Sequence, residues 1–300
     1  MAKKSDELIG LFNTAHIHYV CVRSPIDFLK RTKGLLAGYP KQTWAFRGLS
    51  ASEQMQTSLE RAARLNGVRG SGVSKSELQM IRCFARDFPR EASDSAPEKG
   101  ETIDTLALMQ HYGAPTRLLD FTYSPLVAAL FALDRAGKQQ TCAILAIETQ
   151  WLQDEARRML GASEVLVNAF DRIGQRFDSE AFRDVFFRKD RVRFVCAVNA
   201  NRRNRRLRAQ KGVFLIPGDV EYSFVDNLCE MNGYEKNVTA YILPWTSTRR
   251  REWMKALTQS GMSNYSLFPD LEGYGRSLWR DMMYYAQRND PFDASDLAYF

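Results

Sequence analysis

The chain has 300 residues and a formal net charge of +7, and its 45% hydrophobic and 26% charged content is ordinary for a globular protein with a sizeable core. No apolar run approaches the roughly 20 residues of a membrane-spanning helix, and the start Met1-Ala2-Lys3-Lys4-Ser5-Asp6-Glu7 lacks the apolar stretch of a secretory signal. Cys21, Cys83, Cys142, Cys196 and Cys229 are scattered among only three histidines, so neither a disulfide framework nor a metal site is expected and the reading is a reduced, cytoplasmic protein.

Residues 7 to 21 show no clear period. Ser24-Pro25 opens a helix to about Leu36, with Phe28, Leu29 and Leu35 inward. Gly38-Tyr39-Pro40 is a turn, and Thr43 to Phe46 reads as a short strand leading into Arg47-Gly48. A helix is expected from Ser52 to Leu65, then a Gly-rich break from Gly67 to Gly72. Ser74 and Glu77 have capping-box spacing, which starts a helix to about Phe88. The polar stretch from Glu91 to Gly100 is a loop. A helix from about Ile103 delivers the chain to Gln110. Ser124-Pro125 starts another, with Val127, Ala128, Leu130 and Phe131 inward.

Thr141 to Ile147 is a buried strand. Trp151 to about Phe187 is mainly helical, with breaks near Gly161 and Gly174. Val192 to Val198, Gly212 to Ile216 and Val238 to Leu243 are strands, and Tyr222 to Met231 is a helix. Further helices run from Thr246 or Ser247 to about Ser260 and from about Phe268 to Arg288. The pattern is α+β, a small mixed or antiparallel sheet wrapped by helices. No linker forces a division of the chain.

The most informative stretch is Gln110-His111-Tyr112-Gly113-Ala114-Pro115-Thr116-Arg117-Leu118-Leu119-Asp120-Phe121-Thr122. It sets two charges between a tight turn and a buried helix, where they must be paired or used. Arg47 can clamp a phosphate or carboxylate, with Gly48 letting a ligand approach the backbone; the alternative is a pair with a core carboxylate such as Asp120. Thr116, Arg117, Asp120, Thr122 and Ser124 offer either a polar floor for a nucleotide or a strand-to-helix junction of backbone caps. His111 is a candidate acid or base or a structural donor. Gln110 and Gln210 can orient a ligand but cannot act as bases.

This stretch, with Trp44-Ala45-Phe46-Arg47-Gly48, Ala209-Gln210-Lys211-Gly212-Val213-Phe214 and Leu267-Phe268-Pro269-Asp270-Leu271, resembles the FRG domain. The resemblance implies one FRG-type domain over residues 1–300, with a core at about 24–245 and a helical extension at about 246–300. It also implies a setting in bacterial stress or phage defence.

The order of motifs is similar to that of Arg-Ser-Glu-type ADP-ribosyltransferases, which use NAD as substrate. There, an Arg holds the NAD phosphates or ribose, a Ser/Thr motif shapes the nicotinamide pocket, and a Glu activates the reaction. The resemblance places Arg47 in the first role and Thr122 in the second, and puts Gly212 where the Glu stands. The expected nucleotide site is Arg47, His111, Asp120 and Gln210 for chemistry, with Arg47, Gly48, Arg117, Thr122 and Ser124 for binding. A carboxylate must then enter from elsewhere, Asp120 first and Glu148 second. A binding module without chemistry is the alternative.

Arg202, Arg203, Arg205, Arg206 and Arg208 crowd one short stretch. They are expected to be exposed and outside the pocket, either as a solvated face or as a site for nucleic acid or another polyanion. No aromatic residue interleaves with them in the sequence.

Overall fold

The computed structural model describes residues 17–36, 43–50, 55–91, 97–135, 142–161, 163–202, 205–243, 247–271, 273–275 and 277–278. Seven strands, β1 (His18–Cys21), β2 (Trp44–Ser50), β3 (Leu119–Thr122), β4 (Cys142–Glu148), β5 (Val195–Val198), β6 (Gly212–Pro217) and β7 (Val238–Leu243), form one sheet in the order β1-β7-β4-β2-β3-β6-β5. Only the β1–β7 pair is parallel; the other neighbours run antiparallel. The α+β reading therefore holds, with a mixed sheet.

Thirteen α-helices surround it among the described residues: α1 (Pro25–Lys33), α2 (Ser58–Leu65), α3 (Ser71–Glu91), α4 (Thr102–His111), α5 (Pro125–Arg135), α6 (Thr149–Leu160), α7 (Glu164–Asp171), α8 (Ser179–Phe186), α9 (Arg205–Ala209), α10 (Phe224–Cys229), α11 (Tyr234–Asn237), α12 (Ser247–Gln259) and α13 (Asn264–Leu267). Their starts follow local chemistry. Ser24 accepts from the Asp27 amide at 3.2 Å to cap α1, and Thr57 accepts from the Glu60 amide at 3.1 Å to cap α2. Thus α2 begins at Ser58 instead of Ser52. Ser223 and Asp226 form a capping box on α10.

The box expected at Ser74 and Glu77 does not form, because α3 starts at Ser71. Glu77 is instead buried and turned toward a distant arginine. The helix expected from Phe268 to Arg288 lies largely outside the described residues.

Both faces of the sheet are covered. On β4, Ala143, Leu145 and Ile147 pack into the larger core, while Cys142, Ile144 and Ala146 pack into a second core against α1, α5 and α12. A strand buried on both sides has no polar alternation, which is why residues 142–147 read as an unbroken apolar run. Burial pushes the Cys142 thiol up to about 12 and raises that of Cys196 as well. No helix among the described residues is long and apolar enough to cross a membrane.

A candidate nucleotide cleft between two splayed strands

The sheet opens at its centre. β2 pairs with β4 along all seven of its residues, but it meets β3 only at Phe46 and Thr122. Beyond that bridge the two strands separate, and the Arg47 side chain occupies the opening. Its Nη1 donates to the Asp120 carbonyl oxygen at 2.6 Å, so a guanidinium takes the place of the ladder bond. Arg47 thus contacts the backbone of Asp120 and leaves the carboxylate to another partner.

That partner is Gln110, at the end of α4. Its Nε2 donates to Asp120 Oδ1 at 2.8 Å, and its Oε1 accepts from the Thr116 hydroxyl at 2.5 Å. The Thr116 bond fixes which way the amide faces, and the amide fixes the carboxylate. Asp120 itself remains exposed.

A cleft of about 370 Å³ lies over this opening, within the roughly 300–1,000 Å³ typical of small-molecule sites. Arg47, Gln110, His111, Asp120, Thr122 and Gln210 line it, and Phe121, Phe131 and Phe214 supply apolar wall. The Thr122 hydroxyl donates to the Gln210 carbonyl at 2.7 Å and accepts from the Ser124 amide at 3.0 Å. It ties β3 to the turn entering β6. Gln210 Nε2 in turn donates to the Leu267 carbonyl at 3.2 Å. The next residue, Phe268, stands edge-on to Phe131 at 6.0 Å and lies 4.2 Å beneath the Arg206 guanidinium. Three segments far apart in the chain are thereby locked around one cleft.

The family model for the FRG domain matches residues 42–141. The chain carries an FRG domain. No curated protein and no solved structure gave a match.

The FRG match contains β2, β3 and α2 to α5. The opposing wall of the cleft, from Arg202 to Phe214, lies beyond it.

Within the FRG domain several expected ligand groups have other work. Arg117 does not line the cleft. It is fully buried, its Nε donates to Glu77 Oε1 at 2.8 Å and its Nη2 to Glu77 Oε2, and its guanidinium lies among the rings of Phe182, Phe186 and Phe187. The expected cluster of Arg47, Arg117 and Asp120 is therefore corrected to Arg47, Gln110 and Asp120. Ser124 is also absent from the lining; it caps α5, accepting from the Val127 amide at 3.4 Å.

Gly48 borders the cleft through its backbone, but its missing side chain serves packing. A Cβ there would lie 2.1 Å from the Ala128 carbonyl oxygen of α5. Glu148 precedes α6 and pairs across from Trp44, about 10 Å along the strand from the Arg47 register, and does not line the cleft.

The arginine run was expected to lie outside the pocket, yet Arg202 and Arg206 line it. Arg206 and Gln210 are four residues apart, the spacing of one helix face, and α9 carries that face to the cleft. Arg202 is held by Glu98 at 2.6 Å and Glu101 at 3.2 Å. Asp104, also in the lining, accepts the Arg202 amide at 2.6 Å, and burial raises its carboxyl above the ordinary aspartate range. Arg203 lies outside the described residues. The roles of Asp104 and Phe268 needed the fold, since each acts on a group far from it in sequence; Gln110 acts within its own motif, on Thr116 and Asp120.

Proposed function

We propose that the cleft binds an anionic nucleotide of the NAD type and that Asp120 is its working carboxylate. The observation that carries this reading is convergence. Arg47, His111, Asp120 and Gln210, drawn from four separate segments, line one cleft. The three segments aligned on the transferase motifs are consecutive neighbours β2, β3 and β6 in the sheet.

The chemistry is coherent. Arg47 and Arg206 offer positive charge to a diphosphate, and Phe121, Phe131 and Phe214 offer apolar surface to a base. Cleavage at a nucleotide ribose passes through a cationic centre, which a fixed carboxylate stabilises. Asp120, oriented by Gln110, is that carboxylate, and His111 at the rim is a candidate proton carrier for the acceptor or the leaving group.

One observation favours binding without chemistry. The position resembling the transferase Glu is Gly212, and a Cβ there would lie 2.3 Å from Leu207 Cδ1. Leu207 fills the space a side chain would need.

Calorimetry with NAD and measurement of nicotinamide release separate the readings. Wild type is expected to bind and release nicotinamide. Asp120→Asn should bind NAD with release reduced at least about a hundredfold, and Arg47→Ala should lose binding. Binding without release in wild type selects the binding module. No binding of NAD by folded wild type overturns both.

A further inference from the structure

Arg205, Arg206 and Arg208 share α9, but of these only Arg206 lines the cleft. Arg205 and Arg208 are exposed, whereas Arg206 is half-buried. A long cation whose position is set before binding costs less to order than one fixed only by its ligand. Arg206 is set in this way. Its guanidinium carbon lies 4.2 Å from the centre of the Phe268 ring, close enough for the negative face of the ring to attract it. Phe268 is only 5% exposed and is not part of the lining.

The ring is itself held from several directions. It stands edge-on to Phe131 of α5, a residue of the cleft wall. The carbonyl of the preceding Leu267 accepts from Gln210, which stands one helical turn from Arg206. On the other side a tight turn closes the segment. The Asp270 amide donates to the Phe268 carbonyl at 2.8 Å, and Asp270 Oδ1 accepts from the Gly273 amide at 2.8 Å. A Cβ at Gly273 would overlap the Phe268 carbonyl oxygen, so this turn admits no side chain there. Leu267, Phe268, Asp270 and Gly273 all lie beyond the FRG match, and together they fix the floor under one cleft arginine.

We infer that Phe268 is a positioning residue for the cleft: its ring holds the Arg206 guanidinium where it meets the anionic part of the bound nucleotide. Phe268 lies outside the lining, so it acts through Arg206. The competing role is packing alone, since Phe268 also belongs to the second core with Phe131 against it. The two roles differ in what leucine does at this position. Leucine keeps most of the apolar burial but has no ring face to offer a cation. The inference rests on the nucleotide reading of the cleft and deepens it, by assigning the LFPDL segment a part in anion binding.

The test is a double-mutant cycle on the full chain, with NAD binding read by calorimetry and folding by urea unfolding. Arg206→Ala should weaken binding at least about tenfold, through loss of a charge-assisted contact. Phe268→Leu should weaken it at least about fivefold, through lost attraction to the ring and a less ordered guanidinium. In the Arg206→Ala background the same Phe268→Leu change should alter binding by less than about twofold, because the group it acts through is gone. Phe268→Met repeats the comparison with a second side chain that fills the space without an aromatic face, should the leucine variant not fold. The inference is overturned, with the nucleotide reading intact, if Arg206→Ala or the folded Phe268 variant binds NAD as wild type does. It is equally overturned if Phe268→Leu costs as much in the Arg206→Ala background as alone, the mark of packing. No binding of NAD by folded wild type overturns the nucleotide reading and this inference with it.

Discussion

A charged side chain taken wholly out of water is costly to fold around unless its partner is equally well placed. Arg117 is such a group. Glu77 meets it with both carboxylate oxygens, the Pro217 carbonyl accepts from Nη1 at 3.4 Å, and three phenylalanine rings surround it at 4.9–5.2 Å. Removing one partner leaves the other charge stranded. Glu77→Ala should therefore cost about 3–5 kcal/mol, read from urea unfolding, whereas an exposed carboxylate such as Asp171→Ala should cost under about 1 kcal/mol. A loss below about 1 kcal/mol for Glu77→Ala would show that the pair is not what holds α3 to the sheet. The sequence marked Arg117 as a charge that must be paired or used, but it could not choose between the two. The partner lies 40 residues away, and Glu77 carried a competing local signal as a helix-cap residue. Arg47 and Asp120 were legible for the opposite reason: both sit in short motifs whose flanks are apolar, and both remain where a ligand can reach them.

At the scale of elements, the contact between β2 and α5 sets the position of Arg47. α5 presents Ala128 and Ala132 to Gly48, and small residues on both sides let helix and strand approach. Gly48→Ala puts a methyl group against fixed backbone, where overpacking typically costs about 1–3 kcal/mol. The prediction is a lowered urea midpoint together with weaker binding of the ligand proposed for the cleft, because β2 must shift and Arg47 moves with it. Unchanged stability would mean that α5 can give way. On α4, Asp104 holds the segment bearing Arg202. Its carboxyl is raised above the reference value of 3.8 mainly by burial, against the amides of Arg202 and Asn201, which lower it. The folded state then keeps that proton to higher pH than the unfolded chain. Wild type should therefore lose stability relative to Asp104→Asn as the pH rises through the interval above 3.8, and the difference should be flat beyond it. Unfolding midpoints of both proteins between about pH 4 and 7 check the sign; a gap running the other way would mean that the amide bonds outweigh burial. The sequence revealed strands where burial on both faces made apolar runs, as in β4 and β6. It missed β1 and left β3 only as one side of an alternative strand-to-helix junction; each has four residues. β1 is largely exposed at the sheet edge, and β3 is masked by the turn and cap signals on either side of it.

Across the whole molecule, the FRG match and the folded unit do not coincide. Residues 42–141 contribute β2 and β3, two of the seven strands, and these two touch through a single bridge. The long ladders that hold them run outward. β2 is carried by β4, and β3 by β6 along all four of its residues; both partners lie after residue 141. The Phe182, Phe186 and Phe187 rings around Arg117 and the α9 wall of the cleft also come from beyond the match. A fragment of residues 42–141 would thus expose both edges of a barely joined pair of strands and leave Arg117 without its aromatic surround. A two-stranded unit of this kind is marginal in water, and the matched helices have lost most of the sheet they pack on. The prediction is that the fragment shows no cooperative thermal transition and little amide dispersion by nuclear magnetic resonance, whereas the whole chain unfolds cooperatively. Supplying residues 142–278 in trans should restore both signals, since that piece returns β4, β6, β7 and the cleft wall together. A fragment that melts cooperatively by itself would show that the matched stretch is an independent domain, and the cleft would then be a contact between two units instead of a split within one sheet.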